Sequence, residues 1–231
     1  MTNRAGNLRN YQGEFLSVAE TYQDILDFSD FENDNITFNI RTHDAVKLCN
    51  EVVETVMVSR KLEVEMRFDT DLSVLMLDTD DARLRQVLIN LLVNAAKFTE
   101  QGSIVLELKM ADADTALFSV TDTGCGIPPE KQHLIFERFE KLNDFVQGSG
   151  LGLSICQLIV KYMNGKLWVD SGYTRGARFC FTYPLKYNPH YTEERRNETN
   201  TDSHPCFVLR IYLSAAGRRH GGCPVSGQHP E

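Results

Sequence analysis

No CxxC pair occurs among the six cysteines, Cys49, Cys125, Cys156, Cys180, Cys206 and Cys223, and their spacing follows no regular interval. A zinc ribbon and a disulfide framework are therefore not indicated, and reduced thiols are the expectation. A surplus of positive charge is missing too: 24 Lys and Arg stand against 32 Asp and Glu, for a formal net charge of -8 and a pI near 5.3. That balance gives little electrostatic basis for a nucleic-acid partner or an anionic membrane surface. Long hydrophobic runs are absent as well. The longest, VLINLLVNAA at 87–96, carries two Asn and falls far short of a bilayer span, and the N-terminus MTNRAGNLRN is polar. A soluble, cytoplasmic polypeptide is expected. What is present, 231 residues with 42% hydrophobic and 24% charged, suffices for one medium domain plus additional segments.

Along the chain, Phe15, Val18, Tyr22, Ile25 and Leu26 recur at helical spacing and predict an amphipathic helix over 14–31 that needs a partner. Asn33-Asp34-Asn35 breaks it, and the alternation of Ile36, Phe38 and Ile40 predicts a half-buried strand. Thr42 and Asp44 offer N-caps to a helix over 43–60. Val64, Met66 and Phe68 alternate, SVLMLD at 73–78 reads as a second strand, and the acidic turn 78–81 caps the next helix. That helix, 81–98, has the strongest pattern of all. SIVLELKM (103–110) and TALFSVTD (115–122) predict a hairpin. A short helix beginning at PEKQHLIFERF leads into the aperiodic segment EKLNDFVQGSG, a candidate mobile stretch. A helix over 150–163 stops at Asn164-Gly165, and KLWVD and ARFCFTYPL close the pattern as two strands. The order predicts an α+β class, a mixed sheet with helices on one face. From Tyr187 onward the composition turns polar and rich in Gly and Pro, with four of the six His, and 187–231 reads as a mostly disordered tail. His190, His204, Cys206, His220 and Cys223 match no structural zinc spacing there.

Three constellations carry chemistry. In the 81–98 helix, Asn90 and Asn94 are four apart and Lys97 follows three later, a polar stripe on an otherwise apolar helix. Asn is a poor helix-interior residue, so something polar must lie against it. The choice is between two satisfied buried amides and a site whose amide oxygens face a hydrated Mg²⁺ while the ammonium faces phosphate. The second is DTGCGIP, Asp122 to Pro128, at a strand end. Its glycines let a flat ligand approach the backbone, and the carboxylate can accept the exocyclic amine of adenine; alone, Asp-x-Gly-x-Gly is also an ordinary turn. The third is Gly148-Ser149-Gly150-Leu151-Gly152-Leu153, a glycine-rich helix start whose N–H groups can cradle phosphate oxygens. A Walker loop and a Rossmann turn do not fit it, and no HRD or DFG signals a Ser/Thr kinase.

Taken in order, NLLVNAAKFT, DTGCGIP, FERF and GSGLGLSI resemble the N, first-glycine, F and second-glycine boxes of sensor histidine kinases of the GHKL ATPase superfamily. The likeness spans roughly residues 20 to 185, and FEKLNDFVQGSGLGLSICQLIV is similar to the shortened ATP lid of hybrid two-component sensors. It implies a two-layer α/β sandwich of the GHKL (Bergerat) type that binds ATP and Mg²⁺. It also implies that 1–33 is the end of a dimerisation and phosphoacceptor helix, 34–186 the catalytic ATP-binding domain and 187–231 a tail.

Carried over residue by residue, the resemblance makes Asn94 the Mg²⁺ ligand, with Asn90 and Lys97 on the phosphate side and Phe98 beside the nucleotide. Asp122 would hold the adenine amine, and Gly124, Gly126 and Ile127 would shape the base pocket. The amides around Gly148, Gly150, Leu151, Gly152 and Leu153 would wrap the triphosphate, and Lys141 would reach the γ-phosphate. Phe136 and Phe139 are expected to anchor the lid, not to touch ATP. Two departures matter. At Gly176-Ala177-Arg178-Phe179 the hydroxyl usual in the family is missing, which puts a role for Ala177 in doubt. No phosphoaccepting His followed by an acid and a Thr-Pro sequel is found, and His43-Asp44 is only a superficial lookalike.

Hydrolytic relatives carry Glu where this chain has Asn90, and a neutral amide cannot act as general base. The implied activity is thus transfer of the γ-phosphoryl to a histidine on a dimerisation domain. The implied partners are that domain and the receiver domain of a response regulator, in a homodimeric parent protein with or without a membrane anchor, the fragment itself being monomeric. The alternative is a nucleotide-sensing module that transfers nothing.

Overall fold

The computed structural model describes residues 37–60, 64–137 and 150–187. The helix expected over 14–31, the segment holding Phe139, Lys141 and Gly148, and the tail beyond Tyr187 lie outside the described residues.

Three helices set the architecture. In α1 (Ala45–Arg60), Ala45, Leu48, Cys49, Val52, Val53 and Val56 are buried, one face at spacings of three and four. The helix starts two residues later than the expected 43, because Thr42 and His43 are still paired in a strand. Asp44 then accepts from the Val46 N–H at 3.0 Å and the Leu75 N–H at 3.3 Å. Helix α2 (Asp81–Phe98) has the bounds its periodicity predicts. Asp80 caps it, its carboxylate accepting from the Arg83 N–H at 3.1 Å. Leu84, Val87, Leu88, Leu91, Leu92 and Ala95 form its buried face, each Leu contributing about 2 kcal/mol of burial. Helix α3 (Gly152–Tyr162) ends where Asn164 adopts φ 63° and the Gly165 N–H bonds back to the Val160 carbonyl at 2.8 Å.

The strands form two sheets. The smaller pairs β1 (Arg41–Asp44) antiparallel with β3 (Met76–Thr79). The larger has the order β2, β4, β5, β7, β6, from Glu65–Thr70, Ser103–Met110, Thr115–Asp122, Arg178–Pro184 and Lys166–Val169. Strand β2 runs parallel to β4 and the remaining pairs are antiparallel, so the sheet is mixed as expected. Every second residue points at the helices: Ile104, Leu106 and Leu108 on β4, Ala116, Phe118 and Val120 on β5, Phe179, Phe181 and Tyr183 on β7. Phe118 and Phe181 stack at 4.6 Å between ring centroids. Among the described residues no helix is long and apolar enough to cross a membrane.

Two expectations need correction. Phe38 and Ile40 pack against the core but belong to no strand, since pairing begins only at Arg41 opposite Thr79. The Asn39 N–H is taken instead by the Asp80 carboxylate, at 2.9 Å. The helix expected from Pro129 reduces to one 3-10 turn, Pro129–Lys131, followed by turns that bury Ile135 and set Phe136 edge-on to Phe179 at 6.4 Å. Phe136 thus packs against the core, while Phe139 and the segment it was expected to anchor lie outside the described residues.

Candidate functional site

Asp122 continues the inward-facing row of β5 and is its last member, so the alternation that buries Ala116, Phe118 and Val120 buries a carboxylate too, to 3% exposure. Its Oδ1 accepts from the Gly124 N–H at 2.9 Å and the Ala177 N–H at 3.1 Å. Both bonds fall on the one oxygen, and among the described residues none is made to Oδ2. Burial pushes this carboxyl up from its ordinary value, and the two backbone donors pull the other way. A buried carboxylate with one oxygen fixed and the other unclaimed is an acceptor pre-positioned for a ligand's N–H.

The loop after Asp122 is pressed onto the end of α2. A Cβ at Gly124 would lie 2.1 Å from the Phe98 carbonyl oxygen, so only glycine fits, and the Cys125 N–H donates to that same carbonyl at 3.3 Å. Gly126 adopts φ 71°, the left-handed conformation that its place in the motif suggested. Ile127 and Phe98 are half-buried around this loop, and the Gln132 amide donates to the Ile127 carbonyl at 3.2 Å.

On α2, Asn90 and Asn94 are half-buried on the same side of the helix and Lys97 is exposed. The apolar surround is less complete than the sequence implied, because Ile89 and Val93 are only half-buried along this side. The Asn90 Nδ2 donates to the Gly152 carbonyl at 3.4 Å, while the Asn94 side chain makes no hydrogen bond among the described residues. That contact joins α2 to the start of α3. Leu151 is buried, Gly150 and Leu153 are half-buried, and among the described residues no side chain caps the helix. Its first intrahelical bond is the Ile155 N–H to the Leu151 carbonyl, at 2.9 Å, so the N–H groups of Gly152, Leu153 and Ser154 have no partner within the helix.

The structure therefore brings Asn90, at the middle of α2, against Gly152 at the start of α3, which Gly150, Leu151 and Leu153 flank, and Asn94 stands one turn further along the same side of α2. Phe98, Asp122, Gly124, Gly126 and Ile127 gather at the end of β5. Lys141 and Gly148 lie outside the described residues. Ala177, in doubt for want of a hydroxyl, enters the site through its backbone: its N–H holds Asp122 Oδ1, and its carbonyl accepts the Asp122 N–H at 2.9 Å. Thr99, the last residue of the NLLVNAAKFT motif, was given no role. Among the described residues its hydroxyl is buried without a partner, at 3.0 Å from where a Gly124 Cβ would be. Main-chain donors leave no side-chain signature, and only the adjacency of Thr99 to Phe98 could have pointed to it. His43 is half-buried inside β1, opposite Leu77, and not at a helix start. Among the described residues no group of three or more His, Cys, Asp or Glu is placed to hold a metal.

Residues 79–187 match the family model described as histidine kinase-, DNA gyrase B-, and HSP90-like ATPase. The circadian input-output histidine kinase CikA of Synechococcus elongatus is 34% identical over 175 residues, which is 72% of this chain. This chain spans 23% of CikA's length. Full-length ShkA, solved in complex with AMPPNP, superposes with a TM-score of 0.68 at 27% identity, over 82% of this chain and 41% of that one. The nucleotide-free catalytic domain of the histidine kinase ThkA is 32% identical with a TM-score of 0.58, covering 64% of this chain and 97% of that domain. ThkA in complex with the response regulator protein TrrA gives a TM-score of 0.63 at 26% identity, over 80% of this chain and 53% of that one. From its two glycine-bounded motifs, its mixed sheet and these likenesses together, the chain belongs to the histidine kinase-, DNA gyrase B- and HSP90-like ATPases, and its fold is that of a histidine kinase catalytic domain.

Proposed function

We propose that this chain binds ATP with Mg²⁺ and donates the γ-phosphoryl group to a histidine on a dimerisation domain. The observation that carries the reading is Asp122, buried at a strand end with Oδ1 held by two backbone donors and Oδ2 unclaimed. An acceptor so placed recognises the exocyclic amine of adenine, which guanine lacks at that position. The uncapped start of α3 fits the phosphates through its N–H groups and dipole. Mg²⁺, when bound, supplies charge neutralisation for the transferring group. The donor set suits it: Asn94 is half-buried, its amide makes no hydrogen bond among the described residues, and an amide oxygen is a hard ligand. Lys97, Lys141 and the amides near Gly148 are assigned to the phosphates by the same reading.

In the transfer, an imidazole nitrogen forms a bond to the γ-phosphorus as the bond to the bridging oxygen breaks. ADP leaves, and the imidazole proton passes to solvent. No general base is required when the nucleophile is already a neutral imidazole, and Asn90 could not supply one. Catalysis then reduces to positioning and charge neutralisation. The receiver domain of a response regulator is the subsequent acceptor, and the phosphoacceptor domain and the regulator are the partners in a parent protein that works as a homodimer, with this segment monomeric on its own and cytoplasmic.

The test is radiolabelled ATP with Mg²⁺, added to the chain with and without a separately supplied phosphoacceptor domain from the same parent. Acid-labile label should appear on the acceptor and hardly at all on the chain alone. Binding of ATP without transfer to that acceptor would favour the nucleotide-sensing alternative, and label on the chain itself would return attention to His43.

A further inference from the structure

Helices α2 and α3 are tied together at two places. At one, Asn90, halfway along α2, donates to Gly152 at the start of α3, within the site assigned to the phosphates. At the other, two consecutive residues ahead of β1 take hold of one helix each. Phe38 stacks on Tyr162, the last residue of α3, with ring centroids 5.8 Å apart and planes inclined by 27°. The Asn39 N–H donates to Asp80 Oδ2 at 2.9 Å, while Oδ1 of that carboxylate caps α2 through the Arg83 N–H at 3.1 Å. Each grip lies ten residues from the Asn90–Gly152 contact, or about 15 Å along its helix. The gap between the start of α2 and the end of α3 is thus bridged by the single peptide that joins Phe38 to Asn39.

We infer that Phe38 and Asp80 are positioning residues for the nucleotide site: the segment 37–40 sets the spacing of α2 and α3 and thereby the fit of ATP beside the Asn90–Gly152 contact. The two helices pack directly against each other, and between the two grips the Cys156 thiol of α3 donates to the Val87 carbonyl of α2 at 3.8 Å. Close-packed helices shift as units, so a change of spacing at one end is felt at the other. The inference rests on the ATP-binding reading proposed above. It adds that whatever alters the chain just before β1 alters nucleotide affinity, and by reciprocity that nucleotide alters how firmly residue 39 is held.

Asp80→Asn separates capping from gripping. An Asn remains a good N-cap, but the Arg83 and Asn39 N–H groups approach different oxygens of Asp80, and in the same pose an Asn turns its NH₂ group towards one of them and loses that bond. Calorimetry with ATP and Mg²⁺ on the full chain should show binding weakened roughly three- to tenfold by Asp80→Asn and by Phe38→Ala. The double variant should lose little more than either single one, because both release the same segment. Hydrogen exchange of the Asn39 amide should slow when ATP is added to the unaltered chain, a change that a merely structural contact would not produce. Unaltered ATP affinity in both variants, or Asn39 exchange indifferent to ATP while the unaltered chain binds it, would overturn the inference. Failure of the unaltered chain to bind ATP at all would instead overturn the reading on which it rests.

Discussion

Asp122 owes its position to period-two alternation: the row that buries three apolar side chains of β5 places the fourth, a carboxylate, against the helices. Asp122→Asn keeps the shape but replaces one acceptor by a donor, so ATP should bind about tenfold or more weakly while GTP is little affected, within the range for hydrogen bonds to charged groups. Competition between the two nucleotides checks this; an unchanged ratio would place base recognition elsewhere. The raised carboxyl pKa bears on stability as well. The folded chain holds this proton more tightly than the unfolded one, so stability falls as pH rises through the window from the ordinary 3.8 up to the raised value. Asp122→Asn should remove that slope from the melting temperature measured across acidic pH. The side chains of this site were legible in the sequence because Asn90, Asn94 and Asp122 are unusual where they stand. The N–H of Ala177 and the hydroxyl of Thr99 were not, since a backbone donor has no side-chain identity and Thr99 is indistinguishable in sequence from any helix-ending threonine.

Among the elements, α2 was readable to the residue because its apolar period, its Asp80 cap and Lys97 in the last turn all agree. The hairpin of β4 and β5 was equally plain, a local pairing with strict alternation. The parallel contact of β2 with β4 was not, for it joins Glu65 to Ser103 across an intervening strand and helix, and nothing local encodes it. The misplaced strand has a related cause: alternation reports which residues face the core, and Phe38 and Ile40 show it, half-buried between exposed neighbours, even where a side chain, here Asp80, takes the backbone bond. The junction of α2 with the following loop is the element-scale weak point. Gly124→Ala would drive a methyl group into the Phe98 carbonyl, at 2.1 Å, with backbone on both sides. It should cost about 1–3 kcal/mol of stability, the usual range for overpacking, and reduce ATP affinity by moving the loop from Asp122. Denaturant melts and calorimetry on one sample measure both; an unchanged midpoint would mean that the junction yields easily.

For the whole molecule, the described core runs as far as Tyr187. Leu185 and Tyr187 pack against it, the Leu185 carbonyl accepts the Asp78 N–H at 2.9 Å, and Lys186 lies 3.4 Å from Asp78. Cutting after Tyr187 should keep these contacts, leaving the melting temperature within about 2 °C and ATP affinity unaltered. Limited proteolysis followed by mass measurement locates the boundary, and a larger fall in melting temperature would show that residues beyond 187 add to the core.

The parallel pairing of β2 and β4 also bears on how the chain acquires its shape. Residues 65 and 103 must meet while β3 and α2 are still being laid down between them, a non-local closure of the kind that makes folding slow compared with a bundle of helices. The helix that bears Asn90 and Asn94 is inside that loop. That helix rests on β4 and β5, but until the closure occurs the apolar face of α1 lacks β2 to rest on and stays open to association with other chains. A ligand that binds only the closed form shifts this equilibrium by mass action, and nucleotide present during refolding would then raise the yield of dispersed, monomeric protein.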